Sequence, residues 1–312
     1  MRAATIRDGE VLVEQHPDPE PGKGEVLVRV RAAGLNGADM MQRRGLYPAP
    51  PGSPQDIPGM ELAGEVAALG AGVERFAPGE RVMAIVGGGA QAELALVGER
   101  QLMPVPLGLE WPAAGGLPEV FMTAHDALFA QAQLLSSEHL LVHGGAGGVG
   151  TAAIQLARAV GARVTATVRN EALRPAVAEL GAEAITVEGF AEQGPFDVIL
   201  ELIGAPNMPE NVQALATRGR ITVIGVGGGA KTELNLVALM GKRARIFGST
   251  LRARAAEEKA LSARRLEHEV LPLFERCALR VVVAETLPLE QVAAAYDRFA
   301  AGGKFGKIVI TP

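Results

Sequence analysis

The stretch HGGAGGVG, residues 143–150, puts five glycines into eight positions between the apolar run LLV and the helix-like TAAIQLARAV. No other segment restricts the fold as much, because a strand that turns into a helix over glycines opens a parallel βαβ unit. Gly145, Gly147 and Gly150 satisfy G-x-G-x-x-G. In that motif the first glycine permits a tight turn, the second lets backbone approach a pyrophosphate, and the third lets helix and strand pack closely. The helix N-terminus adds unsatisfied N–H groups and the positive end of its dipole. A glycine turn with no ligand is the bland alternative, but the strand before and the helix after decide against it. Gly145, Ala146, Gly147, Gly148, Val149 and Gly150 are therefore read as a dinucleotide-binding loop.

The segments after His139 fit that reading. ARVTATV, AITV, FDVILELIG, RITVIGVGG and ARIFGST have the texture of strands, while EALRPAVAEL and NMPENVQALATRG have that of helices, and 254–276 is long, charged and helical. This alternation predicts a Rossmann domain, a doubly wound parallel sheet. Before residue 110 the pattern is different: EVLVRVRAAG, MELAGEV, GERVMAI and AELALV are short β-branched runs broken by Gly and Pro. They predict a β-barrel domain. The change of texture sets a boundary, with 1–112 as the barrel and 113–276 as the cofactor domain. The terminal strand KIVIT either extends the parallel sheet or returns to the barrel, and the pattern leaves both open.

Charge and cysteine content exclude several classes. Thirty Lys plus Arg against 35 Asp plus Glu give a net charge of −5 with no basic block, so no nucleic-acid partner is expected. No apolar run reaches membrane-spanning length, and MRAATIRDGEVLVEQ lacks the apolar core of a secretory signal, so the expected location is cytoplasmic. Cys277 is the single cysteine, which rules out an internal disulfide and a cysteine-built zinc cluster.

Cofactor choice is read at the end of the strand after the glycine loop. Thr167-Val168-Arg169-Asn170 carries no carboxylate for a ribose hydroxyl until Glu171. Arg169, with Asn170 and Arg174, suits a 2′-phosphate instead, so the cofactor is read as NADPH. The bland alternative is an arginine solvated at a strand end.

Together with HGGAGGVG, the segments AAGLNGADMMQRRGLYPAPPG (32–52), IPGMELAGEV (57–66), PGERVMA (78–84), FMTAHDAL (121–128), GSTLRAR (248–254) and the terminal GKIVI resemble the medium-chain dehydrogenase/reductase superfamily. Within it the chain resembles the zinc-free, zeta-crystallin-like quinone oxidoreductases, nearest to the branch containing the p53-inducible enzyme. The resemblance covers essentially the whole chain. It implies that the first domain is GroES-like and completed by 277–312, with the active site in the cleft between domains. It also implies a homodimer joined through edge strands, with ARIFGST (244–250) as the candidate. Zinc-dependent relatives carry a Cys and a His where this chain has Asn36 and Met60, and a four-cysteine lobe that is missing here. Glu61 and Asp39 remain, but two carboxylates make a poor catalytic zinc site, so no metal is expected.

The implied reaction passes reducing equivalents from NADPH to a quinone. The alternatives are reduction of an enone or enoyl double bond on the same scaffold, and an idle NADPH-binding or structural protein. The resemblance points to Asn36 and Tyr47 at the substrate, with Met40, Met41, Met60 and Leu46 suited to an apolar slot. It points to Tyr47, Thr123, Gly225 and Lys304 at the cofactor. Their bland readings are an Asx turn for Asn36, packing in a Pro-rich loop for Tyr47, a helix-start hydroxyl for Thr123, and solvation for Lys304 and its neighbour Lys307. Asp39 is expected to brace its loop, His125 to be structural, and Tyr296 to be core. One departure from the family pattern stands out: Leu173 and Val187 occupy the positions where relatives carry a Lys and a Tyr near the 2′-phosphate.

Overall fold

The computed structural model describes residues 1–312, which divide into two compact units, Met1–Met122 with Leu251–Pro312, and Thr123–Thr250. The axis of the first unit is the strand Glu25–Leu35. Burial alternates along its first part and is continuous from Ala32 to Leu35, the change from a strand with one wet face to one covered on both. Glu61–Leu69 pairs antiparallel along one edge, and the opposite edge is shared by Leu94–Gly98 and Lys307–Thr311. The terminal strand thus returns to the first unit, as the family resemblance implies, within a seven-stranded sheet. Val26, Val28 and Val30 fill its core with Leu62, Val82 and Leu102. Beside it, Leu35, Ile308 and Ile310 pack on the helix Val292–Ala301, where Tyr296 is fully buried.

The second unit is built on a six-stranded sheet in which every pairing is parallel. In chain order its strands are His139–His143, Arg163–Thr167, Glu183–Ile185, Phe196–Glu201, Leu215–Val223 and Arg245–Gly248. Numbered one to six, they lie in the spatial order 3-2-1-4-5-6, the dinucleotide-binding order. The chain reverses direction across the sheet at His139–His143, so the glycine loop that follows this strand leaves at the switch point.

Two features differ from the sequence expectation, and a third refines it. Residues 113–122 and 251–276 belong to the first unit, not to the cofactor unit. Their helical texture reports local structure, whereas their packing partners lie in the first unit: Phe274 meets Phe121 edge to face at 4.8 Å, and Arg75 pairs with Glu267 at 2.7 Å. The 254–276 segment is helical as expected, but broken into two helices, Ala256–Glu269 and Leu271–Glu275, since Pro272 cannot donate the bond a continuous helix requires. The helix expected over 207–219 stops at Ala214, where Leu215 turns extended and pairs with Phe196.

Candidate functional site

In the cofactor unit, His139–His143 delivers the chain into the glycine loop, and the helix Gly148–Ala159 begins immediately with Gly147 as its N-cap. Two of the motif glycines are fixed by contact. A Cβ on Gly150 would lie 2.4 Å from the Gly144 carbonyl oxygen and 2.8 Å from the Gly145 Cα, and one on Gly145 would lie 2.8 Å from the Ala166 Cβ. At Gly147 the nearest atom would be 3.4 Å away, so packing does not demand glycine there. What remains is the approach of a ligand to the backbone, and the open N–H groups of the first helical turn fit a pyrophosphate. Ala146, Gly147, Gly148 and Val149 are half-buried at this opening.

A buried polar chain that sequence reasoning missed lies beneath the loop. His143 is fully buried, with Nδ1 3.1 Å from the Thr167 hydroxyl and Nε2 2.7 Å from Asn211 Oδ1. The Asn211 amide donates to Glu201 at 2.7 Å, so its oxygen faces His143 and the imidazole carries its proton on Nε2. Burial holds the imidazole pKa below its ordinary value and keeps the ring neutral. Glu201 also accepts the N–H groups of Ile203 and Gly204, at 2.6 and 2.8 Å, tying off the end of its strand. The signal available in the sequence was a His and a Glu at the ends of two adjacent apolar strands.

Just past the strand Arg163–Thr167, Arg169 and Asn170 are exposed. Asn170 caps the short helix after it by accepting the Ala172 N–H at 3.2 Å, and Arg174 lies 3.5 Å from Glu171. Arg169 makes no bond within the chain. Gly225, just past Leu215–Val223, is half-buried, with the backbone of Leu202 against it. Thr123 and His125 are buried within the helix Pro118–His125, so Thr123 is not a helix-start hydroxyl. The His125 ring lies 5.2 Å from that of Phe129.

In the first unit, Asn36 ends Glu25–Leu35 and precedes the helix Gly37–Arg43. Its backbone N–H donates to Asp39 at 2.8 Å, and Asp39 accepts the Gly59 N–H as well, so Asp39 braces the loop as expected. The Asn36 amide is already engaged. It donates to Glu61 at 3.0 Å and to the Gly34 carbonyl at 3.2 Å, and its oxygen accepts from Lys307 at 2.7 Å. Lys307 completes its bonds with the Leu35 carbonyl at 2.9 Å and Glu61 at 2.6 Å, and the pair is almost wholly buried. Lys307 is therefore not solvated. Lys304 packs over the Phe299 ring at 4.6 Å and donates to the Gly306 carbonyl, and burial pushes its ammonium down to about 8.

The loop after Gly37–Arg43 carries Tyr47, half-buried, and Leu46, 67% exposed, while Met40 and Met60 are in the core. Below Tyr47 lies Arg252, 1% exposed, with its guanidinium 5.2 Å from the ring centroid. It donates to the carbonyls of Tyr47 and Gly87 and to Gln42 Oε1. The donor set does not suit zinc: Asn36 and Met60 are poor ligands, and Glu61 is committed to Lys307. No group of three His, Cys, Asp or Glu side chains converges anywhere in the chain.

Asp39 gives a prediction. Burial raises its pKa from 3.8 to about 6 against the opposing effects of its backbone donors, Lys307 and Arg252. A carboxyl with a raised folded pKa contributes stability that is complete below the unfolded value and is lost as pH rises through the folded one. Stability relative to Asp39→Asn is therefore expected to fall between pH 3.8 and about 6 and to level off above. Urea unfolding of both proteins across that window checks it; parallel pH profiles would contradict it.

Comparison with known proteins adds the family. Residues 22–131 match the alcohol dehydrogenase GroES-like domain, and 148–265 match the zinc-binding dehydrogenase model. Over 305 residues the chain is 32% identical to a quinone oxidoreductase of Rattus norvegicus, covering 94% of this chain and 90% of that one. A crystal structure of an alcohol dehydrogenase superfamily protein from Novosphingobium aromaticivorans superposes with a TM-score of 0.88 at 32% identity, covering 100% and 99% of the two chains. A mycobacterial protein solved with NADPH superposes with a TM-score of 0.89 at 25% identity over the whole of both chains. No helix is long and apolar enough to cross a membrane.

Proposed function

The chain belongs to the medium-chain dehydrogenase/reductase superfamily, and from that premise we propose that it is an NADPH-dependent quinone reductase that works without a metal. The observation that carries the cofactor reading is the glycine loop at the switch point, followed by an exposed Arg169 with no partner in the chain. Bound there, NADPH supplies a hydride. The loop backbone would hold the pyrophosphate, and Arg169, with Arg174, would pair with the 2′-phosphate. Tyr47, steadied by Arg252 beneath its ring, is the side chain for the acceptor. Asn36 has no amide hydrogen left to donate, so it is a positioning residue that ties the end of its strand to Glu61 and Lys307. Donor chemistry at Asn36, Met60 and Glu61 supports the metal-free reading. An edge strand, Arg245–Gly248, following a helix with Leu236, Val237 and Met240 exposed, supports a homodimer.

The test is initial-rate NADPH oxidation with an ortho-quinone and, in parallel, a simple enone, with a chelator present. Quinone turnover that survives chelation is the expected result. Turnover of the enone alone would move the assignment to alkene reduction, and silence with both would indicate a binding protein. A second expectation concerns selectivity. Arg169→Ala should raise the KM for NADPH about tenfold, the loss of one charge-assisted contact, and leave that for NADH unchanged. Equal effects on both cofactors would remove the 2′-phosphate role.

A further inference from the structure

The first unit contains a cavity of about 380 Å³ beside the Gly87–Gly89 turn, the strand Leu94–Gly98 and the start of the helix Ala256–Glu269. That volume is in the range of small-molecule sites, and neither Asn36 nor Tyr47 lines it. Its apolar wall follows from strand alternation. Leu94 and Leu96 are half-buried and share the outward face of their strand, which lines the cavity together with Ile57 and Val86.

The polar end is unusual in its charge. Lys259 lines the cavity, and its ammonium makes no hydrogen bond or ion pair in the chain. Burial, reinforced by the nearby charge of Arg252, holds its ammonium pKa below the ordinary value. Arg252 binds the Gly87 carbonyl at 2.8 Å, and its other acceptors, the Tyr47 carbonyl and Gln42, are neutral. Asp39 and Glu119 act on Arg252 only through space, so no carboxylate touches either cation, and the Glu25 carboxylate that also lines the cavity accepts the Gly22 N–H at 2.9 Å. The backbone N–H groups of Gly87 and Gly88 also lack an acceptor in the chain. Like charges held close at a half-buried site are costly unless an anion joins them, and unpaired N–H groups are costly in the same way.

We propose that this cavity binds a small amphipathic anion, a monocarboxylate with a short alkyl body. The carboxylate sits at Lys259 and the Gly87–Gly88 N–H groups, and the alkyl chain lies on Ile57, Val86 and Leu94. The site does not depend on the redox assignment, so its test needs no turnover.

The experiment is a titration of the ¹⁵N-labelled full chain with hexanoate, acetate and hexanol at constant ionic strength set with chloride. Hexanoate is expected to move the Gly87 and Gly88 amide signals saturably and to bind at least tenfold more tightly than acetate, while hexanol leaves them in place. Lys259→Gln should weaken hexanoate at least tenfold with no change in Tm, and Lys259→Arg should restore most of the binding. The proposal fails if no saturable shift occurs, if hexanol or acetate matches hexanoate, or if Lys259→Gln binds as tightly as the parent. Should Lys259→Gln lose its fold, retained binding by the charge-preserving Lys259→Arg supports the site, and the same hexanoate shift in Lys259→Met overturns it.

Discussion

Gly150→Ala is expected to abolish useful NADPH binding, while Gly147→Ala keeps the fold and loses affinity alone. The two glycines stand three residues apart in one motif, yet their surroundings differ. An added methyl at Gly150 would lie 2.4 Å from the Gly144 carbonyl oxygen, and neither the helix nor the turn can move away without breaking the other's packing. Such overpacking costs about 1–3 kcal/mol. The displaced N–H groups are the ones proposed to hold the pyrophosphate, so affinity should fall on the order of a hundredfold. At Gly147 the same methyl meets only the Gly144 oxygen at 3.4 Å, an ordinary contact. There the Tm should hold, while the methyl occupies space the pyrophosphate needs and affinity falls about tenfold. Fluorescence titration with NADPH and thermal unfolding of both variants separate the cases. Unaltered binding in Gly150→Ala, or a large Tm loss in Gly147→Ala, would contradict the division of roles.

That contrast also shows where the sequence was informative. G-x-G-x-x-G was legible because its meaning is carried by neighbours in the chain: strand, turn and helix lie within a few residues of one another. The parallel sheet was legible for the same reason, since each strand announces itself by a local apolar run. The course of Lys307–Thr311 was not, because its partner strand lies far away in sequence and period-2 patterning says nothing about which strand it joins. The family resemblance, not the pattern, anticipated that return. The unit boundary was misread because the helices of 251–276 look like those of the cofactor unit, and only their contacts reveal where they belong. At the site, Asp39 was read correctly from the turn chemistry of its own loop. The partners of Asn36 were missed because Glu61 and Lys307 reach it from two other strands.

Those partners lead to the largest stability effect expected in the first unit. Lys307→Met leaves the Glu61 carboxylate without its cation in a space closed to solvent, and a broken buried pair costs about 3–5 kcal/mol. The site is built around that carboxylate: a Cβ at Gly34 would come within 2.2 Å of Glu61 Oε1, so the strand opposite keeps a glycine to admit it. Glu61 is held on its other oxygen by the Glu119 N–H at 2.8 Å and cannot swing out to water cheaply. Combining Lys307→Met with Glu61→Gln removes the stranded charge, so the double variant should be more stable than the sum of the single losses by about 1–3 kcal/mol. Urea unfolding of the four proteins in one cycle measures this. A loss below about 1 kcal/mol in Lys307→Met would mean that water reaches Glu61 and that the pair behaves as a surface one. The same cycle bears on function, because Lys307 is the donor that fixes the Asn36 oxygen and thereby turns both amide hydrogens away from any acceptor. If Asn36 is only a positioning residue, the double variant should recover kcat along with stability. If instead the freed amide engages the acceptor, the KM for quinone should shift while Tm is restored.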